Sequence, residues 1–279
     1  MPKRKADEAS TDSADVTQDG KIAVRAGEAS KRINVKHDNL VDTVNGLPPD
    51  VFRSKYIKDE WLNHQPLDRP MLFNLDPASA DELQVLDYVA CYNLVERTSR
   101  PDYEASASGW HPRIKRREMK DHDMRYLLVR QLHPRPSPVE SESEVTGFLS
   151  YMITHDSTPS VPALYIYEIH LSEPLRKLGL GAHLLQVAEN IARRIGLTKV
   201  MLTCFLSNEA ALGFYKKRGL GTDECSPRDR TTRNKVMKVD YVIMSKLIND
   251  ASGSDRSKKS TSKGRVTQWI FQQGSASEG

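Results

Sequence analysis

Between two polar ends, the apolar residues of the chain alternate between helical and strand rhythms. Ser79-Ala80-Asp81-Glu82 has the form of a capping box. Leu83, Leu86, Val89 and Ala90 then recur at helical spacing, which predicts a first helix starting there. Pro112 at a first turn precedes a strongly basic second helix, Ile114 to Asp121. Three strands follow, Tyr126 to Arg130, Gly147 to Thr154 and Ala163 to Leu171, the first two separated by a polar loop holding Pro134, Pro136 and Pro138. A third helix opens near Gly181, with Leu184, Ala188, Ile191 and Ile195 on one face, and Gly196 ends it. Lys199 to Phe205 reads as a strand, Asn208 as the cap of a fourth helix reaching Lys217, and Val236 to Leu247 as a closing strand. Helices, a strand meander and then β-α-β-α-β predict an α/β (α+β) domain over 37–248 with a mixed sheet. No apolar run approaches the ~18 residues of a membrane helix.

Composition changes the picture mainly at the ends. Apolar residues make up 38% of the 279, below the ~45–50% of a compact domain, so disordered tails are expected to dilute a globular part. Residues 1–36 are charged and small, and 249–279 are rich in Ser, Gly, Lys and Thr, broken only by Trp269-Ile270-Phe271. Pro2-Lys3-Arg4-Lys5 reads either as a nuclear import signal or as a solvated charge cluster. With 41 Lys+Arg against 37 Asp+Glu, the net charge of +4 gives no electrostatic grip on nucleic acid. Cys91, Cys204 and Cys225 are odd in number, with no CxxC spacing, which suits a reducing compartment. No apolar stretch follows the first basic residues, so an intracellular protein without a signal peptide is expected.

The segment richest in chemistry is Arg176-Lys177-Leu178-Gly179-Leu180-Gly181, after a strand and opening a helix. Glycines there allow close backbone approach, helix N-terminal N–H groups bind phosphate oxygens, and Arg176 adds a charge. A dinucleotide fingerprint would need a glycine where Leu184 stands, and a P-loop would need Gly-Lys-Ser/Thr. Taken alone, the hexapeptide also fits a structural turn.

In context it resembles the pyrophosphate loop of the Gcn5-related acetyltransferases (GNAT), which bind acetyl-CoA. Asn208, Ala211, Phe214, Tyr215 and Gly219 match that superfamily's second signature, in which an Asn caps the helix beside the pantetheine arm. Within the superfamily, Tyr165-Ile166-Tyr167-Glu168-Ile169, Lys199-Val200-Met201-Leu202-Thr203, Ser226-Pro227 and the stretch Arg113 to Val129 look like the N-terminal acetyltransferase D family. The resemblance spans roughly 80–247. Its members acetylate the α-amino group of the two core histones whose tails begin Ser-Gly-Arg-Gly. It implies a GNAT fold, a mostly antiparallel mixed sheet with flanking helices, and binding of acetyl-CoA by Ile169, His170 and Leu171 on the strand. The loop residues Arg176, Lys177, Leu178, Gly179, Leu180, Gly181 and Ala182, and then Asn208, Ala211 and Tyr215, would complete that slot.

The resemblance also assigns the reacting groups. Glu168 would be the general base, its pKa raised by burial; an edge-strand Glu facing water is the plain alternative. Tyr215 stands where many relatives carry a tyrosine that protonates the departing thiolate, although human-like members have phenylalanine. Tyr165 and Tyr167 would line the pocket for the first substrate residue, with Tyr103, Trp110 and Tyr241 as further lining. Strict strand alternation would put both β-strand tyrosines opposite Glu168, so a β-bulge is expected here, its freed N–H near Leu171 serving as oxyanion donor. Relatives hold the substrate arginine with two acids on the preceding hairpin; His155-Asp156-Ser157-Thr158-Pro159 offers one, Asp156. The basic residues Arg113, Lys115, Arg116 and Arg117 read as a solvated face, and His170 and His183 as structural. No metal is implied by the spacing of the eight histidines. The expected protein is a monomer in nucleus and cytoplasm that acts on histone tails, without nucleic acid or membrane and without an acyl-enzyme on Cys204. An acetyltransferase for lysine or small amines, or a catalytically silent chromatin-binding module, are the alternatives.

Overall fold

The computed structural model describes residues 40–67, 69–132, 144–156, 161–232 and 235–248. Both expected tails, the expected polar loop over 133–143 and residues 157–160 lie outside the described residues. Residues 40–45 form α1 and Pro49–Tyr56 form α2. In α2 a proline opens the first turn, Asp50 and the pair Arg53 and Lys55 complement the helix dipole, and Phe52 and Tyr56 are buried one turn apart. The strands β1 (Asn63–His64) and β2 (Leu72–Ser79) follow. None of these four elements has a counterpart in the sequence reading.

Helix α3 spans Val85–Ala105 with Gln84 at its N-cap, about five residues later than a cap at Ser79 predicts. Ser79 ends β2, so its backbone cannot cap a helix. The Ser79–Glu82 motif instead closes a turn, with Ser79 N–H and hydroxyl both donating to Glu82 Oε2 at 2.9 Å. The apolar stripe is also displaced: Leu86 is 81% exposed, while Cys91, Tyr92, Leu94 and Val95 are buried. Helix α4 covers Pro112–Glu118, then come β3 (Arg125–Leu132), β4 (Val145–His155) and β5 (Pro162–Leu171). Helix α5 (Leu180–Ile195) starts on Gly179 and ends on Gly196, both left-handed at φ 82° and 89°. Its Leu184, Ala188, Ile191 and Ile195 are all buried, as their spacing predicts. After β6 (Lys199–Phe205), α6 (Glu209–Lys217) is capped by Asn208, whose Oδ1 accepts the Ala211 N–H at 3.1 Å. The predicted single closing strand is two: after β7 (Gly221–Thr222), a β8–β9 ribbon (Arg230–Thr232, Lys235–Met237) is separate from β10 (Tyr241–Leu247).

The described residues form an eight-stranded sheet in the order β1-β2-β3-β4-β5-β6-β10-β7. All its pairings are antiparallel except β5 with β6, which are joined through α5. One sheet face carries Leu75, Leu127, Leu149, Leu164 and Val200 and packs with α2 and α5. The opposite face carries Tyr126, Leu128, Phe148 and Met152 and packs with α3.

Strand β5 changes face partway along. Ser150 stands opposite Glu168 while the next residue, Tyr151, stands opposite Ile166, so Tyr167 is an extra residue without a partner across the ladder. This is the expected bulge. Leu164 and Ile166 before it, and Ile169 and Leu171 after it, pack on the α5 face. Tyr165, Tyr167, Glu168 and His170 therefore share the α3 face, which unbroken alternation would forbid. One expectation is corrected: the unpartnered residue of the bulge is Tyr167, so the N–H that the bulge itself frees does not lie near Leu171. Pairing with β6 separately stops at Ile166 opposite Leu202, so the two strands part beyond that point and the rest of β5 has a free edge there.

Candidate active site

On the α3 face, Glu168 is the centre of a chain of buried polar contacts. Its Oε1 accepts from Lys115 Nζ at 2.8 Å, and its Oε2 lies 2.6 Å from His170 Nε2. Lys115 also donates to Glu118 Oε1 at 2.6 Å and sits 5.0 Å from the centre of the Tyr103 ring. His170 Nδ1 lies 2.6 Å from Thr98 Oγ1, whose hydroxyl donates to the Leu94 carbonyl at 2.8 Å. Glu168, His170 and Lys115 are all under 9% exposed. Two expectations change here. Lys115 belongs to no solvated face, although Arg113, Arg116 and Arg117 are exposed, and His170 bonds the candidate base directly.

The electrostatics of Glu168 also run against the sequence reading. Burial pushes its carboxyl pKa up, but the Lys115 ammonium and the hydrogen bond and charge of His170 outweigh burial and hold it at about 2. Burial raises Glu118, and Lys115 only partly offsets that. The carboxylate that sequence alone marks as a tuned base is thus firmly ionised beside an ammonium.

Aromatic rings wall this carboxylate. Tyr165 and Tyr167 lie 5.1 Å apart by ring centroids, and the Tyr165 hydroxyl is 2.5 Å from Thr203 Oγ1. Tyr103 meets Trp110 at 5.4 Å and Phe205 at 4.9 Å, both edge-on. Tyr241 stands opposite Phe205 in the β10–β6 ladder, and the next-door Asp240 accepts the Ala107 N–H at 2.6 Å, fastening the Trp110 loop to β10. Phe205 is a wall residue that the sequence reading missed, because nothing distinguishes it from any strand phenylalanine. Burial, with Glu118 and Asp121 nearby, pushes the Tyr167 hydroxyl up to about 12.

Asp156 does not join this group. Its Oδ2 is held by Lys199 Nζ, which also bonds Asp223 Oδ2 at 2.6 Å. Asp156, Asp223 and Cys225 bring their ligand atoms within 4.8 Å of one another, but the cation among them is the Lys199 ammonium. The Asp156 carboxylate is consequently committed inside the protein, which removes it as the holder of a substrate arginine.

The second half of the site lies at the start of α5. Lys177 is the sole non-glycine residue with positive φ among the described residues, at 66°, and Gly179 has φ 82°. Such backbone is rare outside glycine and collects at ligand sites. Arg176 and Lys177 are exposed. The Leu180, Gly181 and Ala182 N–H groups lie in the first helical turn, where no intrahelical acceptor exists. His64 Nε2 donates to the Leu178 carbonyl at 2.8 Å and His183 Nε2 to the Trp61 carbonyl at 2.9 Å, so the loop is pinned from the N-terminal side. His64 was not foreseen, since its partner is 114 residues away. A Cβ on Gly181 would stand 3.3 Å from Phe214 Cζ, so α6 closes on the loop. Asn208 and Ser207 donate to the two Asp102 oxygens at 3.3 and 2.6 Å, joining α6 to α3. Ala211 and the buried Tyr215 lie along α6, and burial keeps the Tyr215 phenol protonated by raising its pKa.

The gap between β5 and β6 joins the two halves. Ser172 N–H bonds the Thr146 carbonyl at 2.9 Å, so alternation turns the Leu171 N–H away from β4 and toward that gap. An anion cradle, a free strand edge and a walled carboxylate in succession suit transfer of an acyl group from a phosphorylated carrier to a nucleophile.

Residues 92–220 match the family model described as Acetyltransferase (GNAT) family. Among solved structures, the chain is similar to Arabidopsis thaliana NAA60 in complex with acetyl-CoA, at 14% identity, with a TM-score of 0.46 over 64% of this chain and 99% of that one. It is also similar to the ribosomal-protein-S18-alanine N-acetyltransferase from Escherichia coli, at 17% identity and TM-score 0.41 over 66% and 99%. Ard1 from Thermoplasma volcanium matches at 14% identity and TM-score 0.42 over 64% and 99%. The segment from within α3 to the end of α6 thus matches the GNAT acetyltransferase family, and the mixed eight-stranded sheet with flanking helices is the GNAT fold.

Proposed function

We propose that the chain transfers the acetyl group of acetyl-CoA to the terminal α-amine of histones beginning Ser-Gly-Arg-Gly, by direct attack in a ternary complex. The observation that carries this reading is the aromatic enclosure of Tyr103, Trp110, Tyr165, Tyr167 and Phe205 around one buried carboxylate. A walled pocket of that kind suits the first residue of a chain better than a free-ranging lysine side chain. The resemblance of Tyr165–Ile169, Arg176–Gly181 and Lys199–Thr203 to the N-terminal acetyltransferase D family supports the histone substrate. Negative charge from the exposed Asp121 near Tyr167 suits a basic tail, and takes the place of Asp156.

Acetyl-CoA, when bound, supplies an activated thioester acyl group. The cradle fits its diphosphate: two left-handed residues, the N–H groups of Leu180, Gly181 and Ala182, and the Arg176 and Lys177 side chains all present positive charge to an anion. The Leu171 N–H, on the free edge of β5, stands as the oxyanion donor. Ile169 and Leu171 offer apolar surface beside it, with Ala211 and Asn208 bordering the arm of the cofactor. Tyr215 keeps a phenolic proton for the departing thiolate. Glu168 receives the proton of the acceptor amine, and Tyr165 and Tyr167 orient that amine.

The test is acetyl transfer by the full chain to a Ser-Gly-Arg-Gly peptide, beside the same peptide with a blocked α-amine and beside lysine-containing peptides with blocked termini, read by mass spectrometry. Acetylation restricted to the free α-amine supports the proposal. Modification of the blocked peptides would overturn it in favour of a side-chain acetyltransferase, and no coenzyme A release with any amine would indicate a silent module.

A further inference from the structure

A count of protons in the buried chain exposes a property of Glu168 that neither half of the site explains. The Leu94 carbonyl can only accept, so the Thr98 hydroxyl spends its single hydrogen there. The 2.6 Å contact between Thr98 Oγ1 and His170 Nδ1 must then carry a hydrogen on Nδ1. A neutral imidazole so protonated has only a lone pair on Nε2. Yet Nε2 lies 2.6 Å from Glu168 Oε2, and an ionised carboxylate has only lone pairs. Two acceptors cannot approach so closely without a hydrogen between them.

We infer that Glu168 and His170 form one proton-binding unit, whose Nε2–Oε2 bridge holds a proton beyond those of a neutral imidazole and a carboxylate. This rests on the acetyl-transfer reading above and completes it. A carboxylate beside Lys115 is by itself a poor proton acceptor. An acceptor ammonium docking beside the pair repels the bridge proton, which leaves to water; two lone pairs then face each other at hydrogen-bond distance, and the unit takes a proton as the amine attacks. In the working step an N–H bond of the acceptor ammonium breaks and its proton refills the bridge. The freed nitrogen pair forms the new N–C bond as the C–S bond breaks, Tyr215 gives its phenolic proton to the thiolate, and the second amine proton returns to Tyr215. With the bridge refilled, departure of the products leaves the unit in its resting state, and the proton expelled on docking is the one released to water.

The groups facing the pair are consistent with this. Lys115 and Glu118 reach it from α4, Tyr103 and Thr98 from α3, Tyr126 from β3 and Tyr215 from α6, with Phe148 against the imidazole at 5.6 Å. Lys115 with Glu118 balances in charge, and the tyrosines stay neutral, so the bridge is the exchangeable proton of the cluster. His170 acts through Glu168 and is a positioning residue in the sense that it sets where the proton resides.

Two measurements on the full chain test the inference. First, nitrogen-15 spectra of the histidine rings, without substrate and with His170 assigned through His170→Gln, are expected to show either both ring nitrogens protonated or a proton shared with the Glu168 carboxyl. A singly protonated ring beside an ionised Glu168 would overturn the inference. Second, kcat of wild type and His170→Gln is compared from pH 6 to 9.5. Without the bridge, turnover must wait for the amine to lose its proton unaided, near the α-amine value of about 7.7–8.0. The variant should therefore be slower by about tenfold or more at pH 6.5 and approach wild type by pH 9. A deficit equal at every pH marks a merely structural role and overturns the inference. Failure of the acetyl-transfer reading would show separately, as absent activity with the spectra unchanged.

Discussion

The Lys115 ammonium lies 2.8 Å from Glu168 Oε1, with both side chains buried. Lys115→Met should destabilise the fold by about 3–5 kcal/mol at neutral pH, since it leaves a buried carboxylate without its cation. The sign of its pH dependence is definite. In the wild type the folded value of Glu168, about 2, lies below the unfolded ~4.3, so its contribution is complete above ~4.3 and is lost only as pH falls toward 2. In the variant, burial is opposed by His170 alone and the folded value rises, so the carboxyl protonates at higher pH than in the wild type and the deficit shrinks as pH falls. Urea unfolding should show a smaller wild-type-to-variant gap at pH 5 than at pH 8.

Gly179 and Gly196 flank α5 with nearly the same left-handed backbone. Alanine at either position should cost about 1–2 kcal/mol, the penalty of a Cβ in that region. Calorimetry with acetyl-CoA separates them. Gly179→Ala, in the cradle, should weaken binding by an order of magnitude or more, whereas Gly196→Ala, with nothing within 4 Å of the new methyl, should leave it unchanged.

Asp156 is locked to Lys199 and so should be silent in recognition. Asp156→Asn is expected to lower the melting temperature while leaving the ratio of KM values for Ser-Gly-Arg-Gly and Ser-Gly-Ala-Gly peptides unchanged. Lys199→Met should be the more damaging change, because it strips the cation from both Asp156 and the Asp223 carboxylate, which is held at about 2.

Burial, with Asp102 nearby, pushes the Cys204 thiol up to about 12. The thiolate is the nucleophilic form, so Cys204→Ala should turn over at nearly the wild-type rate. Intact-mass spectra of the enzyme mixed with acetyl-CoA alone should show no acetylated protein.

The α5 half of the site was readable in sequence because its signals are local: two glycines, a helix start and an Asn cap lie within a few residues of their partners. The bulge was also foreseen, since Tyr167 and Glu168 could not otherwise face the same pocket. What sequence did not show are the contacts that set protonation. Lys115 is 53 residues from Glu168 and Thr98 is 72 from His170, and in the basic run Lys115–Arg117 nothing marks the first as the one turned inward. Helix α3 misled for a related reason. Ser79 and Glu82 do bond as a capping box would, but β2 already owns the Ser79 backbone, and only pairing with β3 reveals that.

The extra residue at Tyr167 is the one position of β5 whose presence the ladder does not require. Loss of that one codon would restore a regular ladder with Glu168 and His170 still on the α3 face and Ile169 and Leu171 still beneath α5, so the strand would keep its sidedness and the pocket would lose the Tyr167 ring. Beyond Glu168 the alternation is strict, and there an insertion or deletion of one residue would send His170 toward the core and its apolar neighbour toward the pocket in a single step. Lineages that keep the activity should therefore vary β5 by replacement and take up their insertions and deletions in the loops on either side.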